Sequence, residues 1–282
     1  MAKRTFETAD EDSDLHDARP SIIVANLTGG IGKTTIARGL AYIWKAAGQP
    51  LSLVSVDSVD DASVSKLASL GDEVEQMTIG ANAAKVGRDK FGDAQVEHWS
   101  PMGDHLGKGG HLIDFGANAI PALLDWAVES KPRFLLEDAP LLTFVVPVTS
   151  IAQSASDGLL VLKRIFEAEP HFMKLRVVVA FNAKYGSVAA ADGPAFVALR
   201  AFMKTKAIAS FEIPNGTIKL AEEYTFLDLA TVHPRTFGAR VGISPMLANT
   251  RLRFFTNWLE AFVKNAEAVG LGPKKIEGTK AA

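Results

Sequence analysis

The chain has 282 residues, 48% of them hydrophobic, and a formal net charge of −2. That length and apolar content suffice for one large α/β domain or two smaller ones, and near-neutrality supplies no global basic field for nucleic acid, leaving only local patches. Cysteine is absent, which excludes disulfides and thiolate metal sites and is compatible with a reducing compartment.

Residues 1–20 carry Glu7, Asp10, Glu11, Asp12, Asp14 and Asp17 and no apolar h-region, so they read as a disordered, solvated acidic tail and not as a signal peptide. No uninterrupted apolar stretch reaches the length of a membrane span, and a cytoplasmic protein is expected. The first strand is expected at Ser21–Ala25, followed by a glycine-rich loop, Thr28-Gly29-Gly30-Ile31-Gly32-Lys33-Thr34-Thr35, and a helix over Lys33–Ala47. Gly48 and Pro50 end that helix before a second strand at Leu51–Val56. A weak strand follows at Gln76–Ile79. The segment from Ala81 to Gly110, rich in Gly, Asp and Lys, reads as one short helix and a mobile connection. Further strands are expected at His111–Asp114, Thr143–Val148, Arg176–Phe181 and Ile208–Ile213. Helices are expected at Ile120–Glu129, Ala152–Phe166, Pro194–Thr205 and Leu247–Val269. The stretch Thr217–Met246 predicts irregular backbone with short helices, and residues 270–282 a flexible basic tail. Apolar, β-branched runs alternating with helices imply an α/β fold: one doubly wound, mostly parallel sheet with helices on both faces, in a single domain over residues 21–269.

A strand that ends in a glycine-rich loop and turns into a helix aims backbone N–H groups and the positive end of the helix dipole at one spot, which suits a polyphosphate. Gly29, Gly30, Ile31, Gly32, Lys33, Thr34 and Thr35 are the candidate nucleotide-binding residues: the glycines let the backbone approach oxygen atoms, Lys33 neutralises the outer phosphates and the Thr34 hydroxyl ligates Mg²⁺. The ordinary G-x-x-x-x-G-K-[ST] loop would put its first glycine at Leu27; the variant K-G-G-x-G-K-[ST]-[ST] fits better, with Thr28 where a lysine stands. Hydrolysis also needs acids at the carboxyl ends of neighbouring strands. Asp57 and Asp114 end two strands, Asp114 as the second magnesium residue and Asp57 as a supporting acid. Asp60 stands beyond Asp57, where it either positions the attacking water or belongs to a solvated acidic loop. Phe134-Leu135-Leu136-Glu137-Asp138 is a second strand-like stretch that competes with Asp114; Asp114 is preferred because a small-residue turn follows it. For the base, the Asn182 amide could read the exocyclic edge of adenine, and Pro214 offers a flat ring. The six histidines show no metal-ligand spacing. Near the C-terminus, Arg235, Arg240, Arg251, Arg253 and Lys264 interleave with Phe237, Phe254, Phe255 and Trp258, either as the charged outer face of an amphipathic helix or as a nucleic-acid or partner surface.

The loop Thr28–Thr35, the acid at Asp57 and the run Ile113-Asp114-Phe115-Gly116-Ala117 together resemble the ParA/MinD group of deviant-Walker P-loop ATPases. Among them the likeness runs to plasmid conjugal-transfer and stability ATPases of TraL-like and StbB-like type, echoed also at Val145–Val148 and Phe181–Gly186. The resemblance, over roughly Ser21 to Ala266, implies a P-loop NTPase fold of the SIMIBI type. It further implies phosphate binding by Gly29, Gly30, Gly32 and Lys33, Mg²⁺ at Thr34 and Asp114, and ATP as the nucleotide. Its implied partners are a second copy of the chain, DNA, or plasmid partition and transfer proteins. Two positions depart from the pattern. The family's lysine before the glycine pair reaches the partner's phosphates in a nucleotide-sandwich dimer, and Thr28 carries no such charge. The family's second acid falls at Val59. The leading reading is a slow Mg-dependent ATPase acting as a nucleotide-controlled switch. The alternatives are a small-molecule kinase or ATP-dependent ligase on the same fold, and a non-hydrolysing nucleotide-dependent scaffold.

Overall fold

The computed structural model describes residues 19–57, 74–78, 93–117, 119–172, 174–216 and 224–273. Seven strands form one sheet in the order β3-β2-β4-β1-β5-β6-β7, with β1 at Ser21–Val24, β2 at Ser52–Asp57, β3 at Val74–Thr78, β4 at His111–Phe115, β5 at Leu142–Thr149, β6 at Leu175–Asn182 and β7 at Ala209–Ile213. Every pairing is parallel. The described helices are α1 (Lys33–Ala46), α2 (Asp93–Lys108), α3 (Ile120–Ser130), α4 (Ala152–Ala168), α5 (Pro194–Thr205), α6 (Phe226–Thr231), α7 (Pro234–Val241) and α8 (Pro245–Ala268).

Both faces of the central strands β1, β4 and β5 are buried, which is why these are near-continuous apolar runs, whereas the edge strand β7 alternates. Successive residues of β1 feed opposite cores. Ile22 and Val24 join α1, α6, α7 and α8 through Ile36, Leu40, Phe237, Leu252, Phe255 and Phe262. Ile23 and Ala25 join the other core, with Leu123, Ala155, Leu162 and Leu199 from α3, α4 and α5. The helix after β1 therefore lies on one face and the helix after β5 on the other. Chain connections leave these two adjacent strands in opposite directions, which opens a crevice at their carboxyl ends, the usual ligand position in an open α/β sheet.

Pro147 sits inside β5 without harming the ladder. The Val145 carbonyl accepts from Ala25 N, so Pro147, two residues on, also faces the β1 side, beyond the point where β1 has ended. Its carbonyl accepts from Asn26 Nδ2 at 2.6 Å.

Three expectations need correction. The region before β4 holds the 16-residue helix α2 and not a short one: Trp99, Met102 and Leu106 form a buried stripe, with Trp99 stacked on Phe115. Tertiary packing there outweighs Pro101 and the two glycines, Gly103 and Gly107. The Phe134–Asp138 stretch is no strand; Pro132–Leu136 is a 3-10 turn, and Asp138 is exposed. Finally, the folded part extends past residue 269, because Leu271 is fully buried and its carbonyl accepts from Trp44 Nε1 at 2.9 Å. The acidic tail expected over residues 1–20 lies outside the described residues up to position 18, as does most of the basic tail.

Candidate active site

The loop between β1 and α1 lies at the mouth of the crevice. Gly30 and Gly32 have φ of +69° and +93°, a left-handed backbone that favours glycine. Gly32 is constrained twice, since a Cβ there would come within 2.5 Å of Asn182 Nδ2. Gly32 is also the N-cap of α1, its carbonyl accepting from Ile36 N at 3.0 Å. Gly32 supplies no side-chain cap to that helix, and an uncapped helix N-terminus at a crevice is an anion-binding arrangement.

Thr34, in the first turn of α1, points its hydroxyl at β4. Thr34 Oγ1 donates to Asp114 Oδ2 at 2.7 Å. Asp114 itself is 8% exposed and lies in register between Val24 of β1 and Ser55 of β2. Topology brings these two residues together across 80 positions of sequence. A hydroxyl oxygen and a carboxylate at hydrogen-bond distance, both hard donors, suit a small divalent cation or the waters around one.

Lys33 is 8% exposed, and its Nζ donates to the Thr28 carbonyl at 2.7 Å, which curls the side chain back over its own loop. Thr28 is anchored in turn: its Oγ1 donates to Asp157 Oδ2 on α4 at 2.6 Å, its N–H donates to Asn26 Oδ1 at 3.3 Å, and Asp157 Oδ1 accepts from Gln153 Nε2 at 2.7 Å. Thr28 thus ties the loop to α4, across the crevice. Close packing assists, because a Cβ at Gly158 would meet Val148 Cγ2 at 2.8 Å.

From the other side, Asn182 and Lys184 hold the loop. Asn182 Nδ2 donates to the Ile31 carbonyl at 2.9 Å and its Oδ1 accepts from Lys184 N at 3.0 Å. Lys184 Nζ donates to the Gly30 carbonyl at 2.9 Å. The Asn182 amide, anticipated as a base reader, spends these bonds on the loop's backbone and its own turn. Pro214 follows Ile213, the register partner of Asn182, and its carbonyl accepts from Trp258 Nε1 at 2.9 Å. Asp57 closes β2, one strand beyond Asp114. Asp60 lies outside the described residues. Asn26, Asp157 and Lys184 are the site residues that sequence reasoning missed; Asn26 and Lys184 each stand within two residues of a strand end, whereas nothing local marks Asp157.

No protein-family model and no curated protein matches this chain. Solved structures similar to it include the MinD cell division protein of Aquifex aeolicus, at 13% identity and TM-score 0.45 over 92% of this chain and 100% of that one. A plasmid partition protein from Borrelia burgdorferi matches at 13% identity and TM-score 0.44, covering 87% of this chain and 99% of that one. A ParA family ATPase from Chlorobium tepidum TLS matches at 15% identity and TM-score 0.42, covering 86% and 98%. At such identities no residue's role passes from them to this chain.

Proposed function

We propose that the chain binds ATP with Mg²⁺ and hydrolyses it slowly, as a nucleotide-controlled switch of the ParA/MinD type in plasmid or DNA partition, stability or conjugal transfer. The observation that carries this reading is the Thr34–Asp114 pair at 2.7 Å beside an uncapped helix N-terminus and Lys33. These residues fit the ligand's chemistry. Gly29 to Thr35 present N–H groups to phosphate oxygens, Thr34 and Asp114 offer oxygen donors to the cation, and Lys33, which donates to the Thr28 carbonyl, stands beside them to meet a phosphate. Mg²⁺, when bound, neutralises charge on the outer phosphate oxygens. In this reading Asp57 supports the cation's surroundings, Asp60 orients the attacking water, and Asn182 and Pro214 border the base.

Lys33→Ala removes a charge-assisted contact worth about 1.5–3 kcal/mol, so affinity for a fluorescent ATP analogue is expected to fall about 10- to 100-fold; unchanged affinity rejects the reading. A non-hydrolysing scaffold is favoured by one observation: the hydroxyl of Thr28, bound to Asp157, replaces the charge that the family carries there. Single-turnover ATP cleavage separates the two, since a detectable chemical step excludes the scaffold.

A further inference from the structure

A second cluster of polar side chains lies toward the amino end of the sheet, away from the phosphate loop. His105 stands in the last turn of α2 and His111 opens β4. Between them Gly109 and Gly110 are both left-handed, at φ +77° and +71°, and this reversal lays the start of the strand beside the end of the helix. Gly109 N donates to the His105 carbonyl at 3.1 Å, and Gly110 N donates to the Arg19 carbonyl at 3.0 Å. Side-chain direction follows from the elements. Strand alternation puts His111 on the sheet face of Ile113 and Phe115, the face that α2 covers. His105 lies three residues after Met102 and one before Leu106, both in the stripe that α2 buries against that face. Glu75 of β3 is the register partner of Val54, whose side chain belongs to the same core. A helix end and two strands thus aim two imidazoles and a carboxylate at one place.

His105 Nδ1 and His111 Nε2 stand 3.2 Å apart, with the ring centroids 4.6 Å from each other. On its other side His105 Nε2 lies 3.0 Å from Glu75 Oε1. An ionised carboxylate only accepts, so a neutral His105 carries its hydrogen on Nε2 and turns the lone pair of Nδ1 toward His111. A carboxylate behind an imidazole, with the other ring nitrogen turned inward, is the arrangement that orients a histidine toward a metal ion. Two nitrogens each about 2.0–2.1 Å from one ion stand about 3.3 Å apart in a tetrahedral shell. The pair already has nearly that separation and needs little movement to share an ion. Half of the Glu75 side chain is exposed, whereas that of His105 is mostly covered, so the cluster is held from within and open to solvent on one side.

We propose that His105 and His111 form a site for a borderline divalent cation, Zn²⁺ foremost, with Glu75 as the positioning residue behind His105. The ion takes the place of the hydrogen between the two rings, and His111 carries its own hydrogen on Nδ1 instead. Among the described residues no group of three or more ligating side chains is gathered for an ion, so the two imidazoles are the protein's share of the shell and water completes it. Neutral imidazole favours such an ion over Mg²⁺, which seeks oxygen. The pair therefore differs in chemistry from Thr34 and Asp114, and it differs in place, since His111 begins β4 and Asp114 lies toward its carboxyl end. An ion held there ties the end of α2 to β4 and, through Glu75, to the edge strand β3. The inference does not rest on the ATP reading.

The experiment is calorimetric titration of the chelator-washed full chain with Zn²⁺ in buffer containing excess Mg²⁺ and no nucleotide, together with an NMR spectrum of the imidazole nitrogens. The unsubstituted chain is expected to take a Zn²⁺ ion that His105→Gln/His111→Gln does not. Glu75→Gln, which keeps an acceptor for His105 but removes the charge, should weaken binding about tenfold. His171→Ala, outside the cluster, should bind as the unsubstituted chain does. Melting in metal-free buffer reports whether the variants are folded. The spectrum needs no variant to fold: on adding Zn²⁺ the His105 Nδ1 and His111 Nε2 signals should move while His105 Nε2 keeps its hydrogen. A fluorescent ATP analogue should bind all of these proteins alike, so a failure of the ATP reading shows up separately. The inference is overturned if the folded double variant takes Zn²⁺ as tightly as the unsubstituted chain, or if saturating Zn²⁺ leaves the signals of both imidazoles where they were.

Discussion

Thr28 uses its hydroxyl, its N–H and its carbonyl together. Its hydroxyl donates to Asp157, its N–H to Asn26 and its carbonyl receives Lys33, so one residue fastens the loop to α4 and closes it on itself. Thr28→Lys would set an ammonium beside the Asp157 carboxylate and the phosphate path. The expected outcome is tighter binding of an ATP analogue, by about 3- to 10-fold at low salt, since partial exposure and screening limit such a charge to about 1 kcal/mol; titration at two ionic strengths checks it. Asp114→Asn tests the other pole of the site. It keeps a hydrogen-bond acceptor for Thr34 but removes the negative charge that a cation needs. The Mg²⁺ concentration supporting half-maximal nucleotide binding should rise about 10- to 100-fold, while affinity in the absence of Mg²⁺ stays within about twofold. The Thr34–Asp114 partnership was legible because loop and strand-end acid each carry a local pattern whose chemistry demands the other. The work of Asn182 was not: an Asn after a strand looks the same whether it faces a base or, as here, the Ile31 carbonyl.

At the level of elements, helix α1 is held by more than its own propensity. Gly39 faces the Phe262 ring of α8 so closely that a Cβ would overlap it, and Phe262 is itself fully buried against Phe211, 6.0 Å between ring centroids. Gly39→Val would overfill this junction, and a loss of roughly 1–3 kcal/mol is expected from equilibrium urea unfolding, with the m-value unchanged. Elements whose apolar pattern answers to the sheet were readable. Strands β1, β4, β5 and β6 are mostly apolar because both of their faces are covered, and α3, α4 and α5 carry their stripe at helical spacing. Helix α2 was not readable at its full length, because Pro101 and Gly103 break the local signal. What sustains it there is Trp126, which a Cβ at Gly103 would touch at 3.4 Å, and no local pattern announces a partner on another helix.

Across the whole molecule, strand order decides that one loop can sense both halves of the sheet. β1 lies between β4 and β5; through Thr34 its loop meets β4, through Thr28 it meets α4, and through the Gly30 and Ile31 carbonyls it meets the end of β6. A ligand that replaces the Lys33–Thr28 contact and clasps the Thr34–Asp114 pair therefore stabilises the packing of several elements at once. Binding to the folded state alone adds about 2.7 kcal/mol when the ligand is at one hundred times its dissociation constant, which corresponds to a rise of roughly 5–10 °C in Tm for a domain of this size. Mg·ATP should produce that rise in the unsubstituted chain, and Lys33→Ala should abolish most of it. Arg251→Ala/Arg253→Ala should preserve it in full, since those arginines belong to α8 and the loop does not touch them. Differential scanning calorimetry with and without Mg·ATP on the three proteins checks the set. A full rise in Lys33→Ala would mean that the nucleotide stabilises the fold from somewhere other than this loop, whereas loss of the rise in the arginine variant would show that the loop and α8 act as one site.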